Sequence, residues 1–159
     1  MPGLYIAPGI FFHEIHHVMI YFSMTSKTLD KSDFAALSEF RYQMRRFERF
    51  SEDVVQAQGI TPLQYLLLLH IKGYPGRDWA TVGELAERLQ AKHHGVVALA
   101  TRCEAMGLVV RRVSETDRRR VEIHLLPHGE TILAQLAEQH RIELLSLAGV
   151  FTIPQIRHE

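Results

Sequence analysis

The chain has 159 residues, 18 Lys plus Arg against 18 Asp plus Glu, ten His, one Cys and 47 % hydrophobic residues. A globular chain near this length buries about 70 % of the surface that its unfolded form exposes, so one packed domain is expected. One cysteine excludes a disulfide framework, ample Leu, Ile, Val and Phe beside 23 % charged residues exclude disorder, and no apolar run reaches the ~18 residues of a membrane span. A soluble, cytoplasmic protein that does not engage a membrane is the expectation.

The zero net charge conceals an uneven distribution. Between Lys92 and Arg120 seven bases face three acids, an excess of four positive charges that the remaining chain cancels. A field of this kind acts locally whatever the total charge.

In chain order, residues 1–26 stand apart as an apolar arm. Fourteen of the first 23 side chains are apolar or aromatic, with no Lys or Arg. That is not the basic start of a signal peptide, and Pro2, Pro8 and the polar stretch from His13 to His17 interrupt it. Such a segment is expected to bury itself on another surface; the alternative is a natural start further on, at Met24. His13-Glu14-Ile15-His16-His17 contains H-E-x-x-H, the spacing that sets two zinc ligands on one helix face with Glu as general base. A peptidase also needs a supporting fold with a third ligand, which this short chain does not offer, so catalysis is not expected. His13, His16 and His17 remain weak candidates for casual Zn²⁺ or Ni²⁺ binding, and no cofactor is expected.

From Asp33 to Gln58 apolar residues recur every three or four positions, which predicts a long amphipathic helix over 33–58. Arg41, Arg45 and Arg49, with Arg46 beside them, read as its solvated face. Thr61-Pro62 is an N-cap and N1 pair opening a short, internal helix through Leu63 to Ile71, closed by Gly73-Tyr74-Pro75-Gly76. Thr81 with Glu84 forms a capping box for a helix over 81–90, and another helix runs over 92–106 with Gly107 beyond its end. The period then falls to two: Leu108 to Val113 and Val121 to Leu125 read as strands joined by the turn residues Ser114 to Asp117. Pro127 and Gly129 precede a last helix with Ile132, Leu133, Leu136, His140, Leu144, Leu147 and Ala148 along one side. The fold class is mainly α with a small β-hairpin.

Two short helices joined tightly and followed by a hairpin outline a winged helix-turn-helix, whose second helix enters the major groove while the wing carries cations to phosphate or minor groove. Along 92–106 a 100° step per residue puts Val96, Leu99, Ala100, Cys103 and Met106 on a core stripe, with His93 near its edge. Ala91, His94, Ala98, Thr101 and Ala105 fall opposite, a small face suited to close approach to base edges and the thymine methyl. His94, Ala98 and Thr101 are therefore candidate DNA contacts. Arg102 reads either as a phosphate contact or as part of a structural ion pair. Arg112, Arg118, Arg119 and Arg120 are the wing candidates, the alternative being a stiffening Asp117–Arg119 salt bridge. Cys103 reads as a small core residue.

Several stretches resemble the MarR family of transcription regulators: Ile60-Thr61-Pro62-Leu63-Gln64-Tyr65, Val82-Gly83-Glu84-Leu85-Ala86-Glu87-Arg88-Leu89, Gly107-Leu108-Val109 and, most specifically, the wing run Asp117-Arg118-Arg119 before the second strand. The resemblance implies one MarR-like domain over 27–159, with a winged core at 60–127 and dimerisation helices at 33–58 and 128–150. It implies a homodimer that binds double-stranded DNA at a pseudo-palindromic operator, a repressor that releases DNA when a small molecule binds. Phe40, Met44, Tyr65 and Leu69, near the junction of the first, second and last helices, are the candidate effector pocket; plain core packing is their alternative. Leu125-Leu126-Pro127 replaces the family's usual Leu-Thr, Lys92-His93-His94-Gly95 lacks a capping side chain, and the arm is expected to cover surface left by a shortened C-terminus. Two rival readings are a metal-responsive regulator using the N-terminal histidines and a winged protein-interaction module without DNA. Three consecutive arginines in the wing argue against the latter, and no Ser-His-Asp set, phosphate loop or Cys cluster supports an enzyme.

Overall fold

The computed structural model describes residues 29–115 and 117–148. The expected arm with His13, His16 and His17, Thr116 at the wing tip and the chain beyond 148 lie outside them. By its contacts the chain divides into two compact units, 1–42 with 152–159, and 43–151.

Helix α1, Lys31–Ala57, starts in the first unit and ends in the second. It begins two residues before the expected Asp33 because Asp30 caps it. The Asp30 carboxylate accepts the backbone N–H of Ser32 at 2.7 Å and of Asp33 at 3.1 Å, and Asp33 Oδ2 accepts the Asp30 N–H at 3.0 Å. Free N–H groups of a first turn are satisfied this way. Phe34, expected on the apolar face, is 56 % exposed.

In the second unit α1 is followed by α2 (Pro62–Lys72), β1 (Trp79–Thr81), α3 (Val82–Arg88), α4 (His93–Ala105), β2 (Val109–Val113), β3 (Val121–Leu125) and α5 (Pro127–Ser146). Both caps expected from the sequence form. Thr61 and Gln64 bond reciprocally at the start of α2, as do Thr81 and Glu84 at the start of α3. Helix α2 is central but not wholly enclosed as expected: Leu67, Leu68 and Ile71 are fully buried with α3, α4, α5 and the sheet packed against them, while Leu63 and Leu66 on its other side are exposed. Leu85, Val96, Leu108, Ile123 and Leu136 complete the centre of the core.

The expected hairpin is part of a three-stranded antiparallel sheet of order β1-β3-β2. In β1, Trp79 pairs with His124, Ala80 with Ile123 and Thr81 with Glu122. Three residues are too short to display an alternating pattern, so this strand is absent from the sequence reading. Helix α5 starts at Pro127 rather than after Gly129. Gly129 is a buried helical residue, and a Cβ on it would collide with the backbone carbonyl of Leu108.

Candidate nucleic-acid interface

Helices α3 and α4 are joined by a tight turn in which Gln90 adopts φ +49°. Its N–H bonds the Glu87 carbonyl at 3.1 Å and the Ala91 N–H bonds the Ala86 carbonyl at 3.0 Å. This is a Schellman closure with glutamine in the left-handed place that glycine usually takes. Helix α4 then opens on Lys92 without a side-chain cap, as the sequence implied.

Val96, Leu99, Ala100 and Cys103 bury one side of α4. Ala91, His94, Ala98, Thr101 and Ala105 are all exposed, so the small-residue face is open to solvent, and Arg102 is exposed beside it. Two residues of this helix sit differently from the expectation. Met106 is 43 % exposed, not core, because it is the C-cap residue, where the backbone has left the helical path. His93 is exposed, not near a buried edge: it begins the helix and has no earlier turn to pack against.

The wing presents Arg112, Arg118, Arg119 and Arg120 to solvent. Arg112 stands across the ladder from Glu122. The acid at the tip pairs with a different arginine from the one in the alternative reading. The Asp117 carboxylate meets Arg120 Nε at 3.3 Å, and Arg119 reaches it only through its backbone N–H at 3.0 Å. Among the described residues no carboxylate engages the guanidinium groups of Arg118 or Arg119. A cleft of about 640 Å³ brings Arg119 and Arg120 together with His93 and with Thr81, Glu84 and Glu87 of the preceding helix and its cap.

Arg111 is the wing base whose role the sequence reading missed. Its backbone N–H donates to Glu104 Oε1 at 3.0 Å and its Nη1 to Glu104 Oε2 at 3.1 Å, while Nη2 donates to the Val97 carbonyl at 3.1 Å and to Thr101 Oγ1 at 2.7 Å. It therefore fastens β2 to α4 rather than pointing away from both. The turn before β1 is fastened similarly. The Arg77 guanidinium lies 3.7 Å from the Trp79 ring centroid and 4.3 Å from that of Tyr74, and it pairs with Glu84. Burial pushes the Glu84 carboxyl up, but the backbone N–H and hydroxyl of Thr81 and the Arg77 guanidinium outweigh it and hold the pKa at about 2. Burial pushes the Cys103 thiol up to about 11.

Of the four candidate effector-pocket residues, Met44, Tyr65 and Leu69 belong to the second unit. Tyr65 is buried, its ring stacked on the His140 imidazole at 4.5 Å with Phe47 and Phe50 edge-on to the same imidazole. His140 bonds the Leu136 carbonyl through Nδ1 at 2.7 Å and Ser51 Oγ through Nε2 at 2.8 Å. Leu69 lines a cleft of about 430 Å³ with Lys72, Gly73, Glu130, Leu133, Ala134 and Ala137. Met44 is half-buried on α1, and Phe40 belongs to the first unit.

Residues 58–120 match the model of the MarR family. The transcriptional regulatory protein assigned to the hcr operon of Thauera aromatica is 32 % identical over 98 residues, 62 % of this chain and 57 % of that protein. The chain thus spans a little over half the length of the first curated relatives it matches. A MarR family protein from Bacillus stearothermophilus superposes with a TM-score of 0.65 at 25 % identity, covering 79 % of this chain and 86 % of that one. A mutant of MepR from S. aureus, solved bound to an oligodeoxyribonucleotide, shares the fold with a TM-score of 0.58 at 22 % identity, covering 69 % and 79 % of the two chains. The curated relatives that the chain matches are named as transcriptional regulators.

Proposed function

Residues 58–120 match the model of the MarR family, and we propose that the chain is a member of it: a transcription regulator that binds double-stranded DNA as a homodimer, represses, and responds to a small ligand. One observation carries the reading: α4 exposes a face of small side chains beside a wing whose Arg118 and Arg119 have no carboxylate partner among the described residues. A smooth helix face admits base edges closely, and unpaired guanidinium groups suit phosphate and a narrow minor groove. On this reading His94, Ala98 and Thr101 face base edges, while Arg102, Arg112, Arg118, Arg119 and Arg120 meet the backbone or minor groove. On this reading the winged core at 60–127 is flanked by α1 and α5 as dimerisation helices. Ile142, Leu144 and Leu145, each more than half exposed on α5, support association with a second copy. Leu69 and its apolar cleft are the better of the two places for an effector, since Tyr65 is already committed to His140.

Selection of bound duplexes from a random pool, followed by titration at several salt concentrations, tests the proposal. The expected product is an inverted repeat with half-sites about one helical turn apart and an affinity that falls steeply with salt. Recovery of unselected sequence would overturn it.

A further inference from the structure

From the bonds between the second strand and the recognition helix we infer that Arg111 is a positioning residue for sequence readout, which fixes the Thr101 hydroxyl as a hydrogen-bond acceptor towards DNA; the inference rests on the DNA-binding reading above. The Thr101 hydroxyl donates its one proton to the Val97 carbonyl at 2.9 Å. One of its lone pairs is taken by Arg111 Nη2 at 2.7 Å. A threonine hydroxyl has one proton and two lone pairs, so what remains is a single acceptor site. An unconstrained threonine would rotate to serve either a donor or an acceptor on the base edge. Here the side chain can accept only.

In the major groove the groups that donate are the exocyclic amines of adenine and cytosine, whereas guanine offers two acceptors and thymine one acceptor with its methyl group. Thr101 so held favours adenine or cytosine at the position its oxygen faces. The guanidinium cannot easily leave this arrangement, because Glu104 holds it from the other side through Nη1 and also holds the Arg111 backbone N–H. Arg111 acts through Thr101 and does not touch the nucleic acid itself. That separates it from Arg118 and Arg119, which carry their charge at the wing tip.

The test is base preference and salt dependence measured together on the full chain, for wild type, Arg111→Met, Arg111→Lys, Thr101→Val and the double variant Arg111→Met with Thr101→Val. Arg111→Met is expected to relax the preference at one base pair of each half-site by roughly three- to tenfold, the worth of one hydrogen bond, with the salt slope unchanged. Arg111→Lys keeps the charge but not the planar fork, and is expected to lose the same preference. Thr101→Val should alter the same base pair, and the double variant should add nothing to it. A uniform loss of affinity with a slope lowered by about 1 in Arg111→Met, restored by Arg111→Lys, would make Arg111 a phosphate contact and overturn the inference. Unchanged preference at every position in Thr101→Val also overturns it. Should Arg111→Met fail to fold, Arg111→Lys and Thr101→Val decide the matter between them. A wild-type chain that selects no sequence at all overturns the DNA-binding reading itself, and this inference with it.

Discussion

Gly129 lies against the backbone carbonyl of Leu108, so closely that a Cβ on Gly129 would occupy the space of that carbonyl oxygen. The Leu126 N–H also bonds this carbonyl, at 2.9 Å. The start of α5 is thereby seated on the beginning of the wing. Because the obstacle is backbone and not a flexible side chain, Gly129→Ala is expected to destabilise the fold by about 2–3 kcal/mol, at the upper end of overpacking costs. Denaturant unfolding measures this. A loss under about 0.5 kcal/mol, the range of neutral surface changes, would mean that α5 can shift without cost.

The carboxylate of Glu84 connects acid stability to the start of α3. Its folded pKa of about 2 lies below the ordinary 4.5. A depressed carboxyl contributes stability that is fully present above the unfolded value and is lost as pH falls through the folded value. Glu84→Gln is therefore expected to cost about 1–2 kcal/mol near neutrality, after allowance for the partial exposure of the pair. The gap between the two proteins should close between pH 4.5 and about 2. Unfolding curves at pH 7, 4 and 2.5 check the sign, and a difference independent of pH would contradict it.

For the wing, Arg118→Ala and Arg119→Ala are each expected to weaken DNA binding about equally across sequences and to reduce the salt slope by about 1. Arg120→Ala should behave differently, since its guanidinium holds Asp117; the hairpin tip loosens and the effect on slope is smaller. Titrations in rising potassium chloride discriminate these outcomes. A slope untouched by either Arg118→Ala or Arg119→Ala counts against contact by the wing.

Cys103 is fully buried and its thiol is pushed up to about 11. Thiolate is the reactive form, so native protein at pH 7.5 is expected to react with a disulfide reagent only as fast as it opens. DNA binding should be indifferent to mild oxidants. Labelling at the rate of a free thiol would show that the core around Leu99 and Cys103 is accessible.

Much of the fold is legible because its signals are local. Thr61 caps α2 as its place before Pro62 implies, and the Thr81–Glu84 box forms as its three-residue spacing implies. The apolar run of α2 and the alternation of β3 report their own burial. What escapes the sequence is set by groups far apart or by departures from regular geometry. Strand β1 exists because Trp79, Ala80 and Thr81 meet residues 122–124, a pairing that nothing within three residues can announce. A helical angle continued one step past the helix's end puts Met106 in the core, and treating an opening residue as an interior one puts His93 at the edge of that core. Arg111 looked like one base among many, because its partners Val97, Thr101 and Glu104 belong to a different element. The face of α4 was readable from periodicity; the wiring between α4 and the wing was not.

Thr81 closes β1 and at the same moment caps α3, with no residue between the two roles. Peeling the edge strand away must therefore uncap the helix, and fraying the helix must release the strand. The two elements form a single cooperative opening unit, so their amide hydrogens should exchange with solvent at one common free energy instead of two. The scaffolding helix cannot loosen while the sheet edge stays intact.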